Sequence, residues 1–531
     1  MKIITPNKLI VFTALFIIAL GNITFFQNVL AIYPILDLPS ALFILSLVIT
    51  FTCVNIIIFS LFCYRYTLKP ALILLLLLSA GAAYFMDSYN VILDDVMIDN
   101  IFKTDTHEAL DLVSIKLFLY LLLLGVLPAI WIIRLPITYP SFKKSILSRV
   151  LTIGVALLII VITILSLGNF YASFLRENKS LRYYANPSYY IYNIGKYIGH
   201  HFQNNALPFT FIGLDAQHTV GDSERELVVL IVGETARADH FSLNGYHKKT
   251  NPSLEQQNII NFTNVWSCGT STAISVPCMF ALGGRSDFKA SKAKASENLL
   301  DVLQRAGVNV LWLDNNSSSK SAAERVEHQS YKTADNNPEC DTECRDTGML
   351  TRIPSYIENH PNGDIFIVLH QMGNHGPAYY KRYPPSFERF TPACKTNQLE
   401  QCSQEEINNA YDNAILYTDF FLSKTINLLK KYDSSYEAAL VYVSDHGESL
   451  GEKGLYLHGL PYMLAPDSQK HVPMLMWFGD SFDKNEVNIE QLKQQRHQKY
   501  SHDNLFHTIL GLFEVKTEVY NPALDIIPHN D

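Results

Sequence analysis

Along residues 1–169 the hydrophobic positions run continuously. Five charge-free windows, 9–36, 38–64, 70–86, 117–133 and 150–175, are separated by short stretches that hold every charge. A helix needs about 20 apolar residues to cross the hydrocarbon, with about 17 as the lower limit. Three windows exceed that. Windows 70–86 and 117–133 sit near it, but their runs ALILLLLLSA and FLYLLLLGVL are too apolar to remain in water. The pattern predicts five spanning helices. From residue 225 it changes: the short apolar runs ELVVLIVG, VNVLWLD, DIFIVLH, AALVYVSD and VPMLMWFG alternate with helical stretches such as SENLLDVLQRAG and NNAYDNAILYTDFFLSKTINLLKKY. Continuous apolar strands between helices predict an α/β domain whose mainly parallel central sheet is covered on both faces. The expected division is a five-helix transmembrane domain at 1–169, a linker at 170–224 and a catalytic domain at 225–531. The linker holds seven tyrosines with Arg176, Lys179 and Arg182, which suits a segment lying at the membrane surface and equally an ordinary connector.

Charge then orients the chain. Only 17% of the 531 residues are charged, against about 25% in soluble proteins. Residues 1–169 carry 10 Lys/Arg and 8 Asp/Glu, leaving 32 and 42 for the remainder. This excludes a wholly soluble enzyme, a disordered chain and a disulfide miniprotein. A net charge of −8 with no basic cluster of note argues against nucleic-acid binding. With the N-terminus inside, the cytoplasmic pieces hold Lys2, Lys8, Arg65, Lys69, Arg134, Lys143, Lys144 and Arg149, while the external loops hold only Lys103 and Lys116. The positive-inside rule therefore places the N-terminus in the cytoplasm and residues after 170 outside, the periplasm of a bacterial cell. Window 9–36 lacks a small-residue cleavage site and reads as a retained anchor.

Cys53 and Cys63 lie in the second window. The other six cysteines form close pairs, Cys268/Cys278, Cys340/Cys344 and Cys394/Cys402. In an oxidising compartment such pairs read as disulfides; a zinc site built from the last two pairs is the rival reading.

Ligands bind at the carboxyl ends of strands in an open α/β sheet. The residues there are Glu234, Thr235 and Arg237 in the first case, then Asp314, Asn315, Asn316 and Lys320, then His370 and His375, then Asp445, His446 and Glu448, with His458 shortly after. Carboxylates and imidazoles converging from different strands are how a hydrolase-type zinc site is assembled. Taken singly, each has a plainer reading as a cap or ion-pair partner. Segment 267–280, SCGTSTAISVPCMF, offers the hydroxyls of Thr270, Ser271, Thr272 and Ser275 in a turn opening a helix. They read as a nucleophile at a helix N-terminus or as a run of capping residues.

The segments IVGETARADHFSLNGY, CGTSTAISVPCMF, HQMGNHGPAYYKRYP, VSDHGESLGEKGLYLHG and SHDNLFHTILG resemble signatures of the phosphoethanolamine transferases that modify lipid A, the group including the mobile colistin-resistance enzymes. The resemblance covers essentially the whole length and implies a catalytic domain of sulfatase/alkaline-phosphatase type. It implies zinc held by Glu234, Thr272, Asp445 and His446, with Thr272 as nucleophile, and Lys320, His375 and His458 around the phosphate and a second zinc. Asn100, Thr104 and Glu108 would contact the lipid head group; their spacing of four puts them on one helix face. Asp287 is the nearest match to an acidic position of the family, in a segment that departs from its pattern.

The implied reaction takes phosphoethanolamine from phosphatidylethanolamine to a lipid A phosphate through a phospho-threonine. The enzyme would act as a monomer in the bacterial inner membrane and weaken polymyxin binding. Rival readings are a transferase acting on lipopolysaccharide core sugar or another periplasmic glycan, a glycerol-phosphate transferase, and an inactive membrane sensor or scaffold.

Overall fold

The structure is a computed structural model that describes residues 4–103, 106–204, 207–218, 225–482 and 487–528. The chain divides into two compact units, Met1–Ile98 with Val113–Gly199, and Asp99–Leu112 with His200–Asp531. The excursion 99–112, which in sequence interrupts the apolar windows, thus belongs with the second unit.

Among the described residues of the first unit, Leu38–Phe62, Leu68–Tyr89, Ile115–Arg134 and Phe142–Ser166 are helices long and apolar enough to cross a membrane. Window 9–36 forms two helices, Pro6–Leu20 and Ile23–Ile32, bent by 59°; counted as one span they bring the number to five. The bend frees backbone groups that hydrocarbon cannot satisfy. Buried Asn186 answers this: its Nδ2 donates to Gly21 O at 2.8 Å and Ser79 O at 3.0 Å. Asn22, also buried, donates to Ile17 O at 3.0 Å and Asn186 O at 2.8 Å.

The second unit is built on a sheet whose described strands, in chain order, are β1 Glu226–Gly233, β2 Ile259–Trp266, β3 Asn309–Asp314, β4 Glu327–Ser330, β5 Ile365–His370, β6 Glu437–Ser444, β7 His471–Phe478 and β8 Tyr500–Ser501. Their spatial order is β8-β2-β7-β6-β1-β5-β3-β4. Strand β7 pairs antiparallel with β2 and β6, and every other described pair is parallel. Pro473 sits where the β7–β2 register shifts, between Val472 and Met474; a residue without an amide hydrogen is tolerated at such a bulge.

Alternation along β1 feeds two cores. Val228, Leu230 and Val232 pack on one face with helices Leu299–Ala306 and Leu505–Leu512. Leu227, Val229 and Ile231 pack on the other with helix Gln404–Leu429. Each Val, Leu or Ile side chain fully withdrawn from water contributes about 1.5–3 kcal/mol, so both faces hold the strands whose ends carry the site. Capping boxes start two of these helices, Asn298 with Asp301 and Ser403 with Glu406.

The cysteine alternatives resolve to disulfides, Cys268–Cys278, Cys340–Cys344 and Cys394–Cys402. Cys53 and Cys63 are buried thiols.

Candidate active site

Strands β1 and β6 are parallel neighbours in register, Gly233 opposite Ser444. The next residue of each, Glu234 and Asp445, therefore emerges side by side at the carboxyl edge, with His446 following. All three are buried, and one donor atom from each lies within 4.8 Å of the others. Thr272 opens helix Thr272–Met279. Its Oγ1 stands 3.2 and 3.4 Å from the Glu234 carboxylate oxygens and 3.3 Å from His446 Nε2. The neighbouring hydroxyls are otherwise engaged: Thr270 donates to Leu460 O at 2.6 Å and Ser275 accepts from Gly269 N at 3.0 Å. Ser271 at the N-cap makes no side-chain cap, so the capping reading of this run does not hold.

The protonation pattern is informative. His446 Nδ1 lies 2.9 Å from Gly447 O, and a carbonyl only accepts, so the hydrogen is on Nδ1. Burial, reinforced by His458, pushes His446 down to about 3, which keeps the ring neutral. Its Nε2 lone pair then faces Glu234 Oε1 at 3.6 Å and Asp445 Oδ2 at 3.4 Å. Burial and the Glu234 charge hold the Asp445 carboxyl well above the usual carboxylate range. Asp445 Oδ2 has no protein hydrogen-bond partner among the described residues. An imidazole lone pair, two carboxyl groups and a hydroxyl facing one another form a nitrogen–oxygen donor set that fits zinc.

The surroundings hold this arrangement. Thr235 takes a left-handed φ of +57°, a strain of about 1–3 kcal/mol for such a residue. In return its amide donates to Asp445 Oδ1 at 3.1 Å and its hydroxyl to Glu234. Asn316 Nδ2 donates to Glu234 Oε2 at 2.7 Å. Asp314 and His370, also candidates by their strand-end position, pair with each other at 3.2 Å, and Asp314 accepts from Asn316 N at 2.8 Å. They support the residue that touches the site. A Cβ on Gly447 would lie 2.1 Å from Ser468 O, so only glycine lets the chain leave His446 along this path.

His446 and His458 have ring centroids 4.4 Å apart, and His458 and His375 5.4 Å, so three imidazoles line one side. Lys320 is half-buried and donates to Ser317 Oγ. Asp287 is exposed at the end of helix Gly284–Asp287 and stands outside the described donor cluster at Glu234. Asn100 lies in helix Asp95–Lys103; Thr104 and the side chain of Glu108 lie outside the described residues.

One network carried no local sequence signal. Buried Arg382 donates through Nε to His375 O at 2.6 Å, pairs through Nη2 with Asp111 Oδ2 at 2.8 Å and through Nη1 with Glu343 Oε2 at 2.6 Å. In sequence Lys381–Arg382 lies within the segment HQMGNHGPAYYKRYP, but its partner Asp111 is 271 positions away and nothing local pairs the two. Removing one member of a buried charge network strands the others, at about 3–5 kcal/mol. Arg382→Ala is accordingly expected to lower the unfolding midpoint of the second unit by several degrees, read by calorimetry on the full-length protein in detergent. An unchanged midpoint would show that Asp111 and Glu343 find water instead.

Two family profiles match the chain, one described as phosphoethanolamine transferase EptA/EptB over residues 51–202 and one as sulfatase over residues 226–515. Phosphatidylethanolamine transferase Mcr-2 of Escherichia coli is 42% identical over 524 residues, covering 96% of both chains. The structure of the integral membrane protein lipooligosaccharide phosphoethanolamine transferase A of Neisseria meningitidis covers 100% of both chains, with a TM-score of 0.95 and 35% identity. The C-terminal periplasmic domain of phosphoethanolamine transferase EptC of Campylobacter jejuni covers 60% of this chain and 97% of its own, at 42% identity and a TM-score of 0.53. With apolar helices, a sulfatase-type sheet and full-length similarity of this order, the chain belongs to the phosphoethanolamine transferase family of membrane enzymes.

Proposed function

We propose that the enzyme takes phosphoethanolamine from phosphatidylethanolamine to a lipid A phosphate through a covalent phosphoethanolamine–Thr272 intermediate. The observation that carries this is the position of Thr272 Oγ1, first residue of its helix, 3.2–3.4 Å from Glu234 and His446. A helix N-terminus favours the negative charge that builds there. In the first half-reaction Thr272 Oγ1 gives up its proton to water and attacks phosphorus, and the bond to the diacylglycerol oxygen breaks. That oxygen takes a proton from His375 or His458. In the second, an acceptor phosphate oxygen attacks the same phosphorus, the bond to Thr272 breaks, and the threonine oxygen regains its proton from water. Lys320 offsets the acceptor charge. Glu234, Asp445, His446 and Thr272 would hold one zinc; His375 and His458 would hold a second as the alternative to supplying the proton to the diacylglycerol oxygen. Zinc bound there supplies a lowered hydroxyl pKa and stabilisation of charge on the phosphoryl oxygens.

Asn100, Thr104 and Glu108 are the proposed head-group contacts, and residues 170–224 the segment at the membrane surface ahead of the catalytic domain 225–531. The Lys/Arg bias supports a cytoplasmic N-terminus and a periplasmic catalytic domain in the inner membrane. The C-terminal domain of the Campylobacter relative is described as periplasmic, and the Neisseria relative is named a lipooligosaccharide phosphoethanolamine transferase. The enzyme acts as a monomer, donor and acceptor both being lipids of one leaflet. Adding an amine to a phosphate lowers surface negative charge, which weakens polymyxins and other cationic peptides.

Mass spectrometry of lipid A from cells expressing the protein tests this. The expected result is a phosphoethanolamine increment absent from cells without it. No increment from well-expressed protein would overturn lipid A as acceptor and direct the search to the core oligosaccharide.

A further inference from the structure

We infer that a lysine-lined cleft beside the Thr272 helix binds a second anionic group of the acceptor, distinct from the phosphate that reacts. The inference rests on the acceptor being a phosphorylated glycolipid, as proposed above. The cleft, about 240 Å³, has Ala273 and Pro277 of that helix in its wall and is rimmed by Lys289, Lys292, Lys294 and Lys320. Sharing a wall with the helix that presents Thr272 places it within reach of a ligand already at the reacting atoms.

Charge gives the cleft its ligand. Two acids also line it. Glu297 is spent, one oxygen on Arg305 at 2.6 Å and the other on Ile212 N at 3.0 Å. Asp287 alone remains against four lysines. Among the described residues, Lys289, Lys292 and Lys294 make no ion pair, and the Lys320 ammonium meets the Ser317 hydroxyl. After residue 169 acidic residues outnumber basic ones by 42 to 32, so this concentration of cations runs against the charge of the unit that contains it. In sequence the Lys289–Lys294 run is separated from Lys320 by helix Leu299–Ala306 and β3; folding brings them to one rim. Lysine ammoniums on flexible stems act as movable point charges, suited to a phosphate whose orientation is not fixed. The cleft is also lined by the apolar side chains of Leu282 and Phe288, which suit the non-polar part of an amphiphile.

The test is binding by the full-length protein in detergent micelles, without donor, of two probes: bisphosphorylated lipid A and its monophosphorylated form. Wild type is expected to prefer the bisphosphorylated probe about tenfold, and the preference to shrink with salt. The triple variant Lys289→Gln, Lys292→Gln, Lys294→Gln is expected to bind both equally, and the corresponding Lys→Arg triple variant to restore the preference. Diacylglycerol release from phosphatidylethanolamine without acceptor should be unchanged in the glutamine variant, which shows that the Thr272 machinery is intact. A glutamine variant that keeps the wild-type preference overturns the inference, as does a wild type with none. A preference without any transfer to lipid A leaves the cleft standing and overturns the proposed acceptor instead.

Discussion

Thr272→Ala is expected to lower phosphoethanolamine transfer by about four orders of magnitude or more while leaving the protein folded. The substitution removes a nucleophile but little structure. Glu234 keeps its bonds from Asn316 and Thr235, so the lost hydrogen bond costs about 1 kcal/mol. The more telling measurement is on wild type. Incubation with phosphatidylethanolamine and no acceptor should leave a phosphoethanolamine mass on the peptide containing residue 272. The alanine variant should show none, and Thr272→Ser should show it, because the serine hydroxyl reaches the same place. Thr270, Ser271 and Ser275 share that peptide, so fragmentation must assign the site. An adduct on one of them, or an alanine variant with near-normal transfer, would remove Thr272 from the chemistry.

The geometry explains why some of this site was legible beforehand. Glu234, Asp445 and His446 follow the last residues of two long apolar runs, and parallel strands in register deliver such residues to one edge. The same rule selected Asp314 and His370, which turn towards each other and act through Asn316. Position at a strand end does not encode which way a side chain faces. Thr272 was one of four hydroxyls in a short segment; spacing alone did not separate it from the others, and the family resemblance did.

The spans and the parallel sheet were readable because long unbroken apolar runs have few other solutions. Three features were not readable, each for want of a local signal. The 59° bend in the first window depends on Asn186, far along the chain. The reversal of β7 changes neither its apolarity nor its length. The membership of segment 99–112 in the second unit goes with one carboxylate, Asp111, meeting Lys381 and Arg382.

Asp445→Asn is expected to abolish firm zinc retention and at the same time to stabilise the metal-free protein. Both halves follow from one arrangement. Without a cation, Glu234 and Asp445 crowd their oxygens against each other and against the His446 lone pair, all within 4.8 Å and out of water. Like charges in such a place are relieved only by a proton or a metal, and the raised Asp445 carboxyl records that cost. An asparagine is neutral without having to take up that proton, and it offers an amide hydrogen to the remaining carboxylate. A gain of about 1 kcal/mol would raise the metal-free melting temperature by about 2–4 °C. Wild type should melt higher with zinc and lower with a chelator, since a ligand that binds only the native state stabilises it. The variant should respond to neither and should purify with little metal by elemental analysis. Undiminished zinc content would remove Asp445 from the ligand set. Loss of zinc with a metal-free variant less stable than metal-free wild type would mean that Asp445 is held by hydrogen bonds to its protonated form, so that its neighbours stabilise the site before any metal arrives.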